Sequence, residues 1–255
     1  MLQEAFDKSS SSYDADFTYS KIGSEQRKQV YFQLAKEIKN CSSVLEVNCG
    51  TGEDAIYFSK KGMRVLATDI SAKMIEEAKR KLGDGNVKFE ICNAIDLEKI
   101  DGTFDLVFSN FGGLNCLTEV ELTQFCKAAA LKLNSKGKLV MVFISSNSFI
   151  EKVYFKLKSR TIRRQEKHGV ETIIENQRFL TYYYSPEKLI GLFSNQFKVV
   201  STKPIGFFVP PSYFENKVTS RPILFRLFVI LDSFIKNWSW LANRADHFYI
   251  SFEKK

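Results

Sequence analysis

A chain of 255 residues with 44% hydrophobic side chains can bury one sizeable core, and it reads as a single α/β domain with additions. Its 37 basic and 29 acidic side chains leave a net charge of +8, which serves solubility and equally serves attraction to an acidic substrate or an anionic membrane surface. Cys41, Cys49, Cys92, Cys116 and Cys126 show no close pairing, which speaks against a zinc site and for buried thiols in a reducing compartment. The opening residues are polar and acidic where a signal peptide is basic and then apolar, so a cytoplasmic location is expected, and no internal repeat is visible.

In chain order, residues 1–40 form an expected N-terminal cover and helix. Phe6, Tyr13 and Phe17 stand among serines and aspartates, an aromatic content unusual for a frayed end. Residues 24–39 carry Val30, Leu34 and Ile38 at helical spacing. The run Ser43-Val44-Leu45-Glu46-Val47-Asn48-Cys49-Gly50-Thr51-Gly52 then reads as a buried strand entering a tight turn, followed by a helix through Ala55, Ile56 and Phe58. Glycines suit that turn because a Cβ would block both the bend and the approach of a ligand to the backbone.

Gly50-x-Gly52-x-x-Ala55, with Asp69 ending a second strand about twenty residues on, satisfies the dinucleotide-binding fingerprint as written. The flanking charges oppose it. Glu53 and Asp54 occupy the helix start that a pyrophosphate would need, with Glu46 just upstream, and acids there suit a cofactor bearing a sulfonium and an amino group.

Four stretches in this order resemble the motifs of class I S-adenosylmethionine-dependent methyltransferases. They are residues 45–52, Ala67-Thr68-Asp69-Ile70-Ser71 with Met74, Cys92-Asn93-Ala94-Ile95-Asp96-Leu97, and Phe104-Asp105-Leu106-Val107-Phe108-Ser109-Asn110. The resemblance covers residues 40–145 and implies a Rossmann-like, doubly wound, mostly parallel sheet of seven strands with the last antiparallel. It implies S-adenosyl-L-methionine as cofactor, with Glu46, Gly50 and Gly52 bordering its methionine part and Asp69 holding the ribose hydroxyls. Ile70 and Met74 would flank the adenine, Asn93, Ala94 and Ile95 would meet its edge, and Ser109 would lie under the methionine end. Asn48 stands where the family pattern usually has its first glycine, and its amide could bond the amino-acid end of the cofactor.

Beyond the second strand, a charged helix over 72–82 begins behind Ser71 as N-cap, and strands are expected at 87–92 and 104–109, the latter reading as apolar throughout. The fourth strand delivers Asn110, Phe111, Gly112 and Gly113 to the carboxyl edge of the sheet, where substrate contact is expected. The base-amino methyltransferases of the family have two prolines and an aromatic there, so this loop and the absence of any nucleic-acid module speak against nucleic acid. A helix over 119–133 precedes a fifth strand at 139–144, and the core ends near 145.

Residues 146–185 form a substrate-side insertion, with a basic helix expected over 150–164 and Lys152, Lys156, Lys158, Arg160, Arg163, Arg164 and Lys167 crowded together. Tyr183 and Phe208 are candidate pocket walls or ordinary core residues. Ser185-Pro186 opens a helix, and residues 197–202 and 247–252 are the last strands. An antiparallel last strand sets Asp246 and His247 at the cofactor edge, making His247 the candidate general base, with His168 a weaker one. Between those strands, residues 206–243 hold an apolar stretch too interrupted by Arg226, Asp232 and Lys236 to span a membrane. It reads as a lid over an apolar substrate that packs on the sheet or touches a bilayer surface.

The expected activity is methyl transfer by in-line displacement to a small or lipid-like acceptor, and no metal is expected. A binding-only sensor or partner subunit, and a nicotinamide-dependent oxidoreductase, are the alternatives.

Overall fold

The computed structural model describes residues 2–83, 85–158, 164 and 168–255. In chain order the elements are Leu2–Ser9 (α1), Lys21–Glu37 (α2), Ser43–Val47 (β1), Glu53–Lys60 (α3), Arg64–Asp69 (β2), Ala72–Leu82 (α4), Val87–Ile91 (β3), Phe104–Ser109 (β4) and Glu119–Lys132 (α5). They continue with Leu133–Ile144 (β5), Phe149–Leu157 (α6), Val170–Ile174 (β6), Gln177–Thr181 (β7), Pro186–Phe193 (α7), Phe197–Ile205 (β8), Glu215–Thr219 (α8), Pro222–Ile235 (α9) and His247–Lys254 (β9).

Seven strands form one sheet in the order β3-β2-β1-β4-β5-β9-β8, and only β9 runs antiparallel to its neighbours. Successive residues of the central strands point to opposite faces, so Leu45, Val47 and Val107 pack with Phe125 of α5 and Phe193 of α7. Val44, Leu106 and Phe108 pack on the other face with Val30 and Leu34 of α2 and Phe58 of α3. The strand order reverses between β1 and β4, which opens a crevice at their carboxyl ends. β6 and β7 form a separate antiparallel hairpin.

Several boundaries differ from the sequence reading. Helix α2 starts at Lys21, ahead of the expected 24, because the Ser20 side chain caps it by accepting from Gly23 N–H. Strand β5 begins at Leu133, where Leu133 pairs with Phe104 before an irregularity in register. Strand β8 runs on through Pro204 to Ile205, both paired with β9. Helix α6 ends at Leu157, and of the basic cluster Arg160, Arg163 and Lys167 lie outside the described residues. Strand β4 is less uniformly apolar than its sequence reads. Asp105 accepts from Ser42 N–H, Ser43 N–H, both serine hydroxyls and Asn134 Nδ2, and although burial opposes ionisation, these donors hold its carboxyl down at about 2.

Residues 2–19 pack onto the cofactor half. Ser71 Oγ donates to Asp7 Oδ1 at 2.5 Å, and Thr51 Oγ1 donates to Asp14 Oδ1 at 2.6 Å. In the C-terminal insertion α9 sets Phe225, Phe228 and Val229 against Ile22, Val209 and Phe214. Asp232 on that face accepts from Phe208 N–H at 2.8 Å and Val209 N–H at 3.1 Å.

Burial pushes the Asp232 carboxyl up to about 6 against those two donors. A native value above the unfolded one means that the native state holds this proton more tightly. The stability it brings is complete below about pH 4 and is lost as pH rises through about 6. At about 1.4 kcal/mol per unit, the swing is on the order of 2 to 3 kcal/mol. Urea melts of wild type and Asp232→Asn between pH 4 and 7 read it out. The difference between the two proteins should change across that window and be flat above pH 7, and a constant difference overturns the assignment.

Candidate active site

The turn after β1 holds three consecutive demands for left-handed backbone. Asn48 has φ of 58°, Gly50 of 51° and Gly52 of 76°. Asparagine is among the few residues with a Cβ that adopt this region readily, which explains how Asn48 replaces a glycine without opening the turn. At Gly52 a Cβ would come within 2.9 Å of the Ala78 Cβ. Gly113 packs directly on Asn48, where a Cβ would stand 2.6 Å from the Asn48 Cβ, so the loops after β1 and β4 touch. Gly113→Ala should cost about 1–3 kcal/mol and weaken ligand binding at the turn, read by thermal melting and titration. An unchanged melt would show that the two loops move freely apart.

Asp69 ends β2 beside this turn and is 7% exposed. Its Oδ2 accepts from Gly50 N–H and its Oδ1 from Ser71 N–H, each at 2.9 Å. Burial raises its pKa and those two donors oppose the rise. Each oxygen keeps a lone pair for a further donor. Ile70 and Met74 follow, Met74 buried and Ile70 partly exposed. Across from them Asn93 caps the turn at Ala94 and Ile95, with Oδ1 accepting from Ile95 N–H at 3.2 Å. Ser109 ends β4 and is buried.

Glu46, 1% exposed on β1, has an Oε2 with no hydrogen-bond partner among the described residues. Burial, then the charge of Asp54, pushes its carboxyl well above the usual carboxylate range. An orphaned buried acid at a glycine turn calls for a cationic or hydrogen-donating ligand.

The acids at the start of α3 behave differently from the sequence reading. Asp54 Oδ1 lies 2.6 Å from Arg27 Nη1 and accepts from Tyr31 Oη at 2.6 Å, while its Oδ2 accepts from Asn110 Nδ2 at 3.0 Å. Glu53 pairs with Lys81 at 2.7 Å. These two acids are neutralised by the protein, so the repulsion of a diphosphate inferred from them is weaker than it reads, and Glu46 remains with an Oε2 that has no hydrogen-bond partner among the described residues.

Sequence reading assigned no site role to Arg27 and Tyr31, the two partners that hold Asp54. Arg27 lies one helical turn before Val30 on the buried side of α2, and a charged residue in an apolar stripe was the available signal. Tyr13 is likewise brought in by tertiary contact. Its Cε1 would be 3.7 Å from a Cβ on Gly50, and burial pushes its phenol up to about 12.

At the carboxyl edge, Phe111 adopts φ of 46°, a strained value for an aromatic residue and one that singles out the position. The Arg27 guanidinium lies 4.9 Å from its ring centroid, and the His247 ring meets it edge-on at 5.4 Å. His247 pairs with Ile144 and Ile205, at the ends of β5 and β8, so the antiparallel last strand does bring it to this edge. Its Nδ1 is 3.0 Å from Asp246 Oδ2. Asp246 also accepts from Gln26 Nε2 at 3.0 Å and from Arg164 Nη2 at 2.5 Å. Although burial opposes ionisation, His247 and Arg164 together hold the Asp246 carboxyl well below the usual range. Arg164 Nε also pairs with Glu151, and Glu151 Oε1 accepts from Tyr213 Oη at 2.9 Å.

Tyr183 lies under the Arg164 guanidinium, 5.6 Å from ring centroid to Cζ. Phe208 packs edge-on against Phe207, which stacks on Phe149 at 5.4 Å. His168 lies before β6, and among the described residues no hydrogen bond or ion pair joins it to this group. The five cysteines are free thiols whose pKa values are all raised, chiefly by burial, that of Cys116 to about 12 with Asp69 adding its charge. None is poised as a nucleophile. Among the described residues no cluster of His, Cys, Asp and Glu is arranged to hold a metal.

Residues 44–137 match the family model described as a methyltransferase domain. The chain is 34% identical over 108 residues to the demethylmenaquinone methyltransferase of Clavibacter sepedonicus, covering 42% of this chain and 44% of that protein. It is 26% identical over 136 residues to the malonyl-[acyl-carrier protein] O-methyltransferase of Anoxybacillus flavithermus, covering 52% and 51%. The matches thus span about half the length of these curated relatives. The crystal structure of an S-adenosylmethionine-dependent methyltransferase from Clostridium acetobutylicum superposes with a TM-score of 0.60 at 13% identity, over 94% of this chain and 95% of that one, which establishes the shared fold.

The residues around the glycine turn fit S-adenosylmethionine. The turn admits close approach, Asp69 keeps acceptors for a diol, and the Glu46 Oε2, without a hydrogen-bond partner among the described residues, suits an ammonium group.

Proposed function

We propose that the protein transfers the methyl group of S-adenosylmethionine by in-line displacement to a small or lipid-like acceptor, acting as one domain built on residues 41–145. The observation that supports this most is the unpaired, buried Glu46 beside the glycine turn and Asp69. When bound, the cofactor supplies an electrophilic methyl on a sulfonium. Gly50, Gly52 and Asn48 shape the seat of its methionine part, with Glu46 taking the amino group. Asp69 takes the ribose hydroxyls, Ile70 and Met74 flank the adenine, and Asn93, Ala94 and Ile95 meet its edge. Ser109 lies below the methionine end. Tyr13 covers Gly50 and excludes water from the seat.

Asn110, Phe111, Tyr183 and Phe208 would border the acceptor, and their aromatic rings suit an apolar or lipid-like molecule. The names of two relatives concern demethylmenaquinone and malonyl-[acyl-carrier protein], and these two classes head the acceptors to be tried.

His247 is the general base where the acceptor must lose a proton. Nδ1 lies 3.0 Å from Asp246 Oδ2, which leaves Nε2 as the nitrogen to receive a proton from the acceptor. Alignment carries most of the rate, because displacement at a sulfonium needs little proton transfer.

Incubation with cofactor carrying a labelled methyl, followed by extraction of quinone-type, fatty acyl and acyl-carrier acceptors, tests the reading. Label should appear in one class. Cofactor binding without transfer to any acceptor would favour a sensor. With the acceptor in hand, His247→Gln should lower kcat about 100-fold while leaving cofactor affinity intact. An unchanged kcat excludes His247 as base.

A further inference from the structure

Helix α9 presents two faces of opposite design. Its inner face packs Phe225, Phe228 and Val229 on Ile22, Val209 and Phe214. Its outer face lines up Ile223, Leu227, Ile230 and Phe234, which are 87%, 48%, 44% and 73% exposed, at spacings that keep one side of a helix. The stripe continues past the helix end into Trp238 and Trp240, 49% and 65% exposed, whose rings stack at 5.9 Å. An apolar surface of this length turned toward solvent is the mark of an interaction site.

Charge identifies the occupant. Arg221, Arg226, Lys236 and Arg244 flank the stripe, and the single acid between Arg221 and Arg244 is Asp232, buried on the inner face and engaged by Phe208, Val209 and Gln29. The Lys236 ammonium lies 3.6 Å from the Phe32 ring centroid, and Lys36 approaches the same ring from α2. Arg244 lies over Trp240 at 5.7 Å. A second copy of the chain would set these cations against one another with no exposed acid from this segment to pair them. An anionic bilayer surface satisfies both parts, taking the apolar side chains and the two indoles into its interface while lipid phosphates meet the flanking cations. The helix of 14 residues is about 21 Å long, suited to lying in the interface, and no helix among the described residues is long and apolar enough to cross a membrane.

We propose that the outer face of α9, with Trp238 and Trp240, docks the protein on an anionic lipid surface. This does not depend on the methyl-transfer reading.

The protein has only two tryptophans, both in this patch, so intrinsic fluorescence reports on it directly. Vesicles of phosphatidylcholine, alone or with about one third phosphatidylglycerol, are added and binding is read by flotation and by the emission maximum. The anionic vesicles should bind at least about tenfold more tightly, shift emission to the blue, and release the protein at high salt. Leu227→Glu with Phe234→Glu should abolish binding, and Arg226→Glu should weaken it, while the melting temperature and cofactor titration stay at wild-type values. Three results would overturn the proposal. They are no binding to anionic vesicles, binding that the Glu substitutions leave intact, and a concentration-dependent dimer, lost in Phe234→Glu, without vesicle binding.

Discussion

Replacing Asp69 with Ala should lower affinity for S-adenosylmethionine by about 100-fold or more. The carboxylate does two things that the substitution removes together. It supplies the acceptors proposed for the ribose diol, and it fastens the glycine turn to the end of β2 through Gly50 N–H and Ser71 N–H, both at 2.9 Å. Hydrogen bonds to a charged group contribute about 1.5–3 kcal/mol each, and a buried N–H left without an acceptor adds its own cost. Asp69→Asn separates the two effects, because its carbonyl oxygen can keep one backbone donor while the amide nitrogen turns away the other. It should fall between wild type and Asp69→Ala. Titration calorimetry with a parallel thermal melt checks both, and an Asp69→Ala protein that binds as wild type contradicts the ribose assignment.

The second large effect lies outside the cofactor half. Arg164→Met should destabilise the protein by about 3–5 kcal/mol, because it removes the cation that pairs with both Glu151 and Asp246 and leaves two buried carboxylates together. Arg164 also donates from Nη1 to the Ser145 and Asp246 carbonyl oxygens, each at 3.0 Å, so it ties the start of β9 to the end of β5. The direction with pH is fixed by Asp246. Its native pKa lies below the unfolded one, so the stability it contributes is present at neutral pH and is lost as pH falls through the native value. In Arg164→Met that pKa rises, and acid unfolding should begin at higher pH than in wild type. A denaturant melt within about 1 kcal/mol of wild type at pH 7 would mean that the pair is replaced by solvent without cost.

The parts legible in the sequence are those encoded locally. The β1 run, its glycines and Asp69 at the end of β2 announce a ligand turn, and Ser71, Ser185 and the alternation of strand and helix place α4, the start of α7 and strands β1 to β4 within a residue or two. The antiparallel position of His247 followed from the family resemblance, and the strand pairing puts it at the end of β5. What was not legible depends on residues distant in sequence. Arg27 meets Asp54 through tertiary packing, and this reverses the simple reading of acids at the start of α3. Arg164 sits in a run of basic residues whose crowding suggests attraction to an anionic partner, yet it is 9% exposed and paired on two sides. Tyr13 comes from an N-terminal segment whose order rests on contacts with Ser71, Thr51 and Lys81. The α9 segment reads as apolar nearly all round, and only the fold separates its packed face from the exposed one.

The most direct measurement is a calorimetric titration of the protein with S-adenosylmethionine and S-adenosylhomocysteine, with reduced nicotinamide dinucleotide as the contrast. Micromolar binding of both sulfur compounds at one site, with none of the dinucleotide, is the predicted result. Binding of the dinucleotide alone would reassign the glycine turn to a nicotinamide cofactor, and binding of none of the three would contradict a cofactor seat at Glu46, Gly50 and Asp69.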